Sequence, residues 1–226
     1  MATMERVGGM ETARRAETLR AGSSVAELIA GGAAIVLPIL GLVGVLPMSL
    51  AAVAFIAVGA AMMLNGGAVG TQAQTLLARD RPEGERVEFL VGADAQMLGG
   101  AAVIALGILA LLRVAPFSLL PVAAIVAGGA VTLSAGTTSR LASFSYGAAE
   151  TTPGQREILR ESVRASAGAD LLVGLGAIVL GILILANVGS LATSVTLALV
   201  AALSLGGGLF LNGTAAGARM IALLRH

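Results

Sequence analysis

Three acidic and three small polar side chains recur at similar intervals, and they are the residues of this chain best placed to do chemistry. They are Glu27, Asp94 and Asp170, and Asn65, Ser134 and Asn212. The acids are 67 and 76 residues apart and the polar residues 69 and 78, which indicates an internal repeat. A ring of such groups at a membrane surface could form an entrance for a cation or a proton.

The same residues also have purely structural interpretations. Each acid begins an apolar segment, where the first turn of a helix favours a negative charge. Asparagine and serine commonly form hydrogen bonds between membrane helices. We favour these structural roles, because no ionisable residue continues the path into the apolar segments, where a proton relay would need partners. The six residues remain a candidate polar ring at one membrane surface.

Six apolar stretches must position these groups. Of the 226 residues, 57% are hydrophobic and only 12% are charged. The stretches cover roughly residues 28–46, 48–70, 95–112, 114–135, 171–188 and 190–212. Each can cross or nearly cross a hydrocarbon core of about 30 Å as a helix, and only helices and closed barrels satisfy their backbone groups in lipid. The sequence predicts an all-α polytopic membrane protein whose six transmembrane helices form three tandem helical hairpins.

The repeat also divides the chain into segments. Residues 26–70, 93–139 and 169–226 hold the three hairpins, the last with a short C-terminal tail. Residues 1–25 form a charged N-terminal segment, and residues 71–92 and 140–168 form the charged connections. Within the second connection, residues 151–167 place apolar and charged side chains on opposite faces, which predicts a short amphipathic helix at the membrane interface.

Arginine distribution predicts the topology. Thirteen of the fourteen arginines lie before, between or after the hairpins, and only Arg113 lies in a turn within a hairpin. The positive-inside rule therefore places both termini and both connections in the cytoplasm. All three hairpins then have the same orientation, which predicts pseudo-threefold symmetry about an axis along the membrane normal and excludes inverted repeats.

Small residues one turn apart recur near the ends of the even-numbered helices. They are Gly66 and Gly70, Ala135 and Ser139, and Gly213 and Gly217. Such spacing lets helix backbones approach closely in lipid, so we predict a helix-packing role, within one chain or between chains.

No pattern of catalytic or metal-binding residues is recognisable in the sequence. The chain has no cysteine, which excludes disulfides and thiolate metal sites. It has neither a P-loop nor a nucleophile-elbow sequence, and its one histidine is the final residue. We therefore expect no enzyme activity, no catalytic residue, no cofactor and no metal.

The run from Gly107 to Leu133, GILALLRVAPFSLLPVAAIVAGGAVTL, resembles the HdeD family of small bacterial membrane proteins. Gly181 to Leu185, and Pro47 with Gly59, repeat parts of that pattern, whereas the connections are longer and more charged and Gly189 replaces the third turn's proline. The resemblance implies six helices in the bacterial inner membrane and a link to acid stress.

Two functions follow as hypotheses. The first is a non-catalytic structural or accessory membrane protein, linked to envelope or acid stress. Its partners are membrane lipid and either further copies of itself or a larger membrane complex, and not nucleic acid. The alternative is a passive channel for a small or apolar species along the pseudo-threefold axis. A continuous cavity would favour the channel, and a filled axis would favour the structural role.

Overall fold

The described part of the chain is built from six α-helices and contains no strand. The computed structural model describes residues 29–77, 83–147, 153–186 and 190–224, with side chains over 29–67, 94–135, 168–186 and 190–211. The helices are α1 (Ile29–Leu42), α2 (Pro47–Leu77), α3 (Glu83–Leu111), α4 (Pro116–Gly147), α5 (Pro153–Leu185) and α6 (Leu191–Leu224). The prediction of an all-helical protein is confirmed.

Five of the six helices contain a segment long and apolar enough to cross a membrane. These segments are Pro47–Gly67, Asp94–Leu111, Pro116–Ala135, Gly168–Leu185 and Leu191–Leu211, each 18 to 21 residues long. At 1.5 Å per residue, they measure about 27 to 32 Å, which matches the hydrocarbon core of a bilayer. Helix α1 is apolar but shorter over its described residues. Five apolar helices of this length fit a multi-pass membrane protein.

Tight turns join α1 to α2 and α3 to α4 in the same way. Val45 N donates to Leu40 O and Gly44 N to Gly41 O, the pair of hydrogen bonds of a Schellman motif. Residues 109–114 repeat this pair, with Arg113 at the left-handed position (φ 63°) that Gly44 occupies in the first turn (φ 98°). A proline then begins each following helix, where its missing N–H costs no hydrogen bond. We call the end of the bundle that carries residues 43–46 and 112–115, together with Ala186 and Ser190, the turn end, and the opposite end the arginine-rich end.

Helices α2, α4 and α6 lie at the centre of the bundle, and α3 and α5 lie outside them. The three even-numbered helices contact one another, whereas α3 and α5 make no comparable contact with each other in the described residues. Accordingly, 44 to 50% of the spanning segments of α2, α4 and α6 is buried, against 33% in α3 and 22% in α5. The exposed faces of the odd-numbered helices carry large apolar residues such as Val36, Leu98 and Leu172, which suits contact with lipid.

The helices continue past the apolar segments at the arginine-rich end. Helix α5 runs without a break from Pro153 to Leu185, so the amphipathic stretch predicted as a separate short helix is instead the first part of α5. No proline follows Pro153 within this helix to stop it. Helix α3 likewise begins at Glu83, well before its apolar segment. The apolar pattern therefore marks the membrane-spanning part of each helix and not its full length.

Candidate functional site

Pairs of small residues bring neighbouring helices into backbone contact at three places in the bundle. A Cβ built on Gly59 of α2 would lie 2.6 Å from the carbonyl oxygen of Gly100 in α3, and a Cβ on Gly100 would lie 2.6 Å from that of Gly59. Gly128 of α4 and Gly174 of α5 face each other in the same way. The two helix backbones can come this close only because glycine has a hydrogen atom in place of a side chain.

The third pair differs in one residue. A Cβ on Gly206 of α6 would lie 2.5 Å from the carbonyl oxygen of Ala34 in α1, so alanine stands here where the other pairs have a second glycine. Gly59, Gly128 and Gly206 are 69 and 78 residues apart, the spacing of Asn65, Ser134 and Asn212. The backbone contacts of the even-numbered helices therefore recur at the same intervals as their small polar residues.

A second set of contacts lies two turns closer to the turn end. Gly107 of α3 packs on Ala52 and Ile56 of α2, and Gly181 of α5 packs on Pro121 and Ile125 of α4. In α1 the corresponding Gly41 meets the side chain of Leu199 in α6. Each odd-numbered helix thus carries two small residues seven positions apart, at 34 and 41, 100 and 107, and 174 and 181.

When the odd-numbered helices are aligned on these small residues, the acids that the sequence intervals had aligned no longer correspond. Because Gly100 corresponds to Gly174, Asp170 corresponds to Gln96, and Asp94 corresponds to Gly168. Two positions along a helix are about 200° apart around its axis. In agreement, Asp94 is exposed, whereas Asp170 is half-buried and its Oδ1 lies 3.8 Å from the place of a Cβ on Gly208 in α6. The two acids do not occupy equivalent places.

The helix-dipole interpretation of these acids is also wrong. Asp94 lies three turns inside α3, which begins at Glu83, and Asp170 lies still deeper inside α5, which begins at Pro153. The field of a helix terminus falls off within the first turn, so neither carboxylate is stabilised by it. The sequence placed the helix starts at the membrane surface, whereas the helices begin beyond it.

Gln96 is a buried polar residue that the sequence analysis missed. It is only 4% exposed, and it lies one turn before Gly99, whose Cβ position meets Ala130 of α4. Ser134 lies one turn further along α4, so Gln96 is at the level of the predicted polar ring. No described side-chain nitrogen or oxygen that is fully buried lacks a hydrogen-bond partner. Aligning the chain on the glycines would have revealed Gln96 as the counterpart of Asp170.

The structure describes part of the predicted ring and of the predicted packing residues. Asn65 is half-buried, Gly66 and Ala135 are buried, and the Ser134 hydroxyl donates to Val131 O in its own helix at 2.9 Å. Glu27 lies outside the described residues. For Gly70, Ser139, Asn212, Gly213 and Gly217 the structure describes the helix but not the surroundings of the residue. The ring and the six packing residues therefore stay predictions.

Apolar side chains fill the centre of the bundle. On each even-numbered helix one stripe is buried along its length, and the register groups the stripes into four levels. These are Ala51, Leu120 and Ala198; Phe55, Ala124 and Ala202; Val58, Ala127 and Leu205; and Met62, Val131 and Leu209. One turn nearer the turn end, Met48, Phe117 and Val195 continue the stripes and line one common depression. The stripes of the three even-numbered helices therefore lie close together at the turn end.

No group of three or more histidine, cysteine, aspartate or glutamate side chains that could hold a metal ion occurs among the described residues. Comparison of the chain with protein families, with curated proteins and with solved structures found no match.

Proposed function

We propose that this chain is a non-catalytic integral membrane protein that acts through packing and assembly, as a structural or accessory component. In this proposal it associates with itself or is held in a larger membrane complex. Its six helices all span the membrane as three tandem hairpins about a pseudo-threefold axis. The recurrence of one type of small-residue contact at α2 with α3, α4 with α5 and α6 with α1 supports this arrangement.

The buried apolar side chains at the centre of the bundle are the observation that supports the functional proposal. Along the proposed axis, twelve apolar side chains in four levels are each no more than 5% exposed. A passive channel needs a continuous path through these levels, where the large side chains of Phe55, Met62, Leu120 and Leu205 are buried. The contacts therefore favour the structural role over the channel, which was the alternative.

Localisation in a bacterial inner membrane, with both termini in the cytoplasm, is part of the proposal. The arginine-rich end then faces the cytoplasm and the turn end faces outward. Reporter fusions after residues 80, 115 and 226 should read inside, outside and inside. A fusion at 115 that reads inside would overturn the topology and the parallel orientation of the three hairpins.

The link to envelope or acid stress rests on the resemblance of the hairpins to the HdeD family. If it holds, deletion of the gene in its native host should lower survival after acid or envelope stress, and expression of the intact chain should restore it. Equal survival of the deletion strain under both stresses would remove this part of the proposal.

The functional proposal is tested by what accompanies the protein in mild detergent and by flux across reconstituted liposomes. We expect oligomers or a copurifying membrane protein, and no proton or solute flux above that of empty liposomes. Phe55→Ala is the matched variant, because it opens the centre at one level. If the wild-type protein shows flux and Phe55→Ala shows more, the structural role is wrong and the channel is the better proposal.

A further inference from the structure

Helix α1 is one turn shorter at the turn end than its counterparts. Gly41, Gly107 and Gly181 occupy corresponding positions against the even-numbered helices. Beyond that glycine, α3 and α5 continue for four residues, to Leu111 and Leu185, whereas α1 continues for one residue, to Leu42. The first hairpin therefore lacks three residues of helix just before its turn.

The missing turn of α1 lies beside an open depression at the start of α6. In α5 the corresponding turn places Ile184 beside Phe117, Leu120 and Pro121 of α4, and only a narrow crevice remains there. The α6 residues that correspond to Phe117 and Pro121 are Val195 and Leu199. Both line an open depression of about 470 Å³. Its lining is mostly apolar. Leu42 and Leu191 are exposed in it, whereas Leu199 is buried beneath Gly41.

A single cation stands at the rim of this depression. Arg113 lines it from the turn between α3 and α4, and its side chain is exposed. Within the described residues no carboxylate pairs with its guanidinium. The other described charges, Asp94 and Asp170, lie at the opposite end of the bundle. A guanidinium binds a phosphate through two parallel hydrogen bonds, so Arg113 is suited to an anionic headgroup.

We propose that this depression is a binding site for one anionic phospholipid. An acyl chain lies along Leu191, Ala192 and Val195 in the place of the missing turn of α1, and the headgroup phosphate binds Arg113. A turn directly after an apolar span of α3 lies at the depth of the lipid headgroups, so the chain and the phosphate of one lipid reach both places. The site rests on the proposed membrane location and adds a specific ligand to it.

The test compares two lipids that differ in headgroup charge and share their acyl chains. The protein is extracted in mild detergent and equilibrated with equal amounts of phosphatidylglycerol and phosphatidylcholine, and native mass spectrometry counts the lipids that stay bound. Arg113→Gln removes the cation, and Ala192→Phe fills the depression while leaving the cation in place. Arg140→Gln is the control, because it removes the same charge from the other end of α4.

We expect the wild type and Arg140→Gln to retain phosphatidylglycerol preferentially. Arg113→Gln should lose about fivefold of that preference, the equivalent of about 1 kcal/mol for one basic residue near a lipid surface. Ala192→Phe should lower the occupancy of both lipids. Equal preference in the wild type and Arg113→Gln, or unchanged occupancy in Ala192→Phe, would overturn the site. Failure of the topology would instead appear in the fusion at residue 115, which does not depend on bound lipid.

Discussion

The adjacent glycines Gly128 and Gly129 provide the sharpest test of the packing. A Cβ on Gly128 would press against the carbonyl oxygen of Gly174 and would lie 3.0 Å from Cγ1 of Ile178 and 3.1 Å from Cβ of Ala177. A Cβ on Gly129 would meet nothing within 4 Å. Gly128→Ala and Gly129→Ala thus make the same chemical change at neighbouring residues of one helix, and only the first meets α5.

The magnitudes follow from two opposing terms. Replacing glycine by alanine inside a helix favours the helix by about 0.8 to 1 kcal/mol. Forcing a methyl group into a filled contact costs about 1 to 3 kcal/mol, since α4 and α5 must separate. Backbone atoms, which cannot move aside as a flexible side chain does, oppose the Cβ of Gly128, so we expect the upper part of that range. Gly129→Ala should therefore raise the stability, and Gly128→Ala should lower it by about 1 to 2 kcal/mol.

Thermal unfolding in mild detergent, followed by size-exclusion chromatography, measures this difference. The pair Gly206→Ala and Gly207→Ala repeats the comparison at the contact of α6 with α1, where a Cβ on Gly207 also meets nothing within 4 Å. The reasoning is refuted if Gly128→Ala unfolds at the same temperature as Gly129→Ala or at a higher one.

Three further predictions use single residues outside these contacts. Gly44→Ala should lower the free energy of unfolding by about 1 to 2 kcal/mol through backbone strain alone, since its φ is 98° and nothing surrounds the new Cβ. Arg113→Gly, at the matching position of the second turn, should raise the free energy of unfolding by up to about 1 kcal/mol. Equal thermal stability of the two variants would contradict this. Asp94→Asn should change the free energy of unfolding by less than about 0.5 kcal/mol, because the residue is exposed and far from the helix start, and any proton flux that it abolishes in liposomes would instead assign it a transport role. Gly66→Leu should lower detergent stability by about 1 to 3 kcal/mol and reduce oligomer size if its face meets another chain; wild-type behaviour in both assays would remove this residue from the packing surfaces.

The sequence was sufficient for the fold class and for the register of the even-numbered helices. The apolar stretches have the length of a bilayer, and nothing but a helix satisfies the backbone there. Asn65, Ser134 and Asn212 keep the same distance from Gly59, Gly128 and Gly206, so spacing alone aligned these helices correctly.

The register of the odd-numbered helices was not predicted, because the alignment relied on the acids. A carboxylate near a membrane surface is free to shift by one or two positions, since water or a headgroup can solvate it. A glycine that faces a backbone carbonyl is not free to shift. The small residues at 100 and 107 and at 174 and 181 therefore record the packing, whereas Asp94 and Asp170 do not.

The helix ends and the depression escaped prediction for a related reason. Hydropathy falls where a helix leaves the lipid, but backbone hydrogen bonding continues until a proline or a turn interrupts it. The missing turn of α1 is visible only when two registers are compared. Pro47 and Pro116 are 69 residues apart, whereas Gly41 and Gly107 are 66 apart. The difference of three residues is the turn that α1 lacks.

The even-numbered helices keep glycine where they meet a neighbouring backbone, at Gly59, Gly128 and Gly206, and they differ where their side chains meet at the centre. Three equal large side chains cannot share one level of a close-packed centre, and three alanines would leave it empty. Phe55 with Ala124 and Ala202, and Leu120 with Ala51 and Ala198, fill their levels with one large and two small residues. Different side chains at the centre, with glycine retained on the even-numbered helices at the three backbone contacts, are what the proposed packing role predicts.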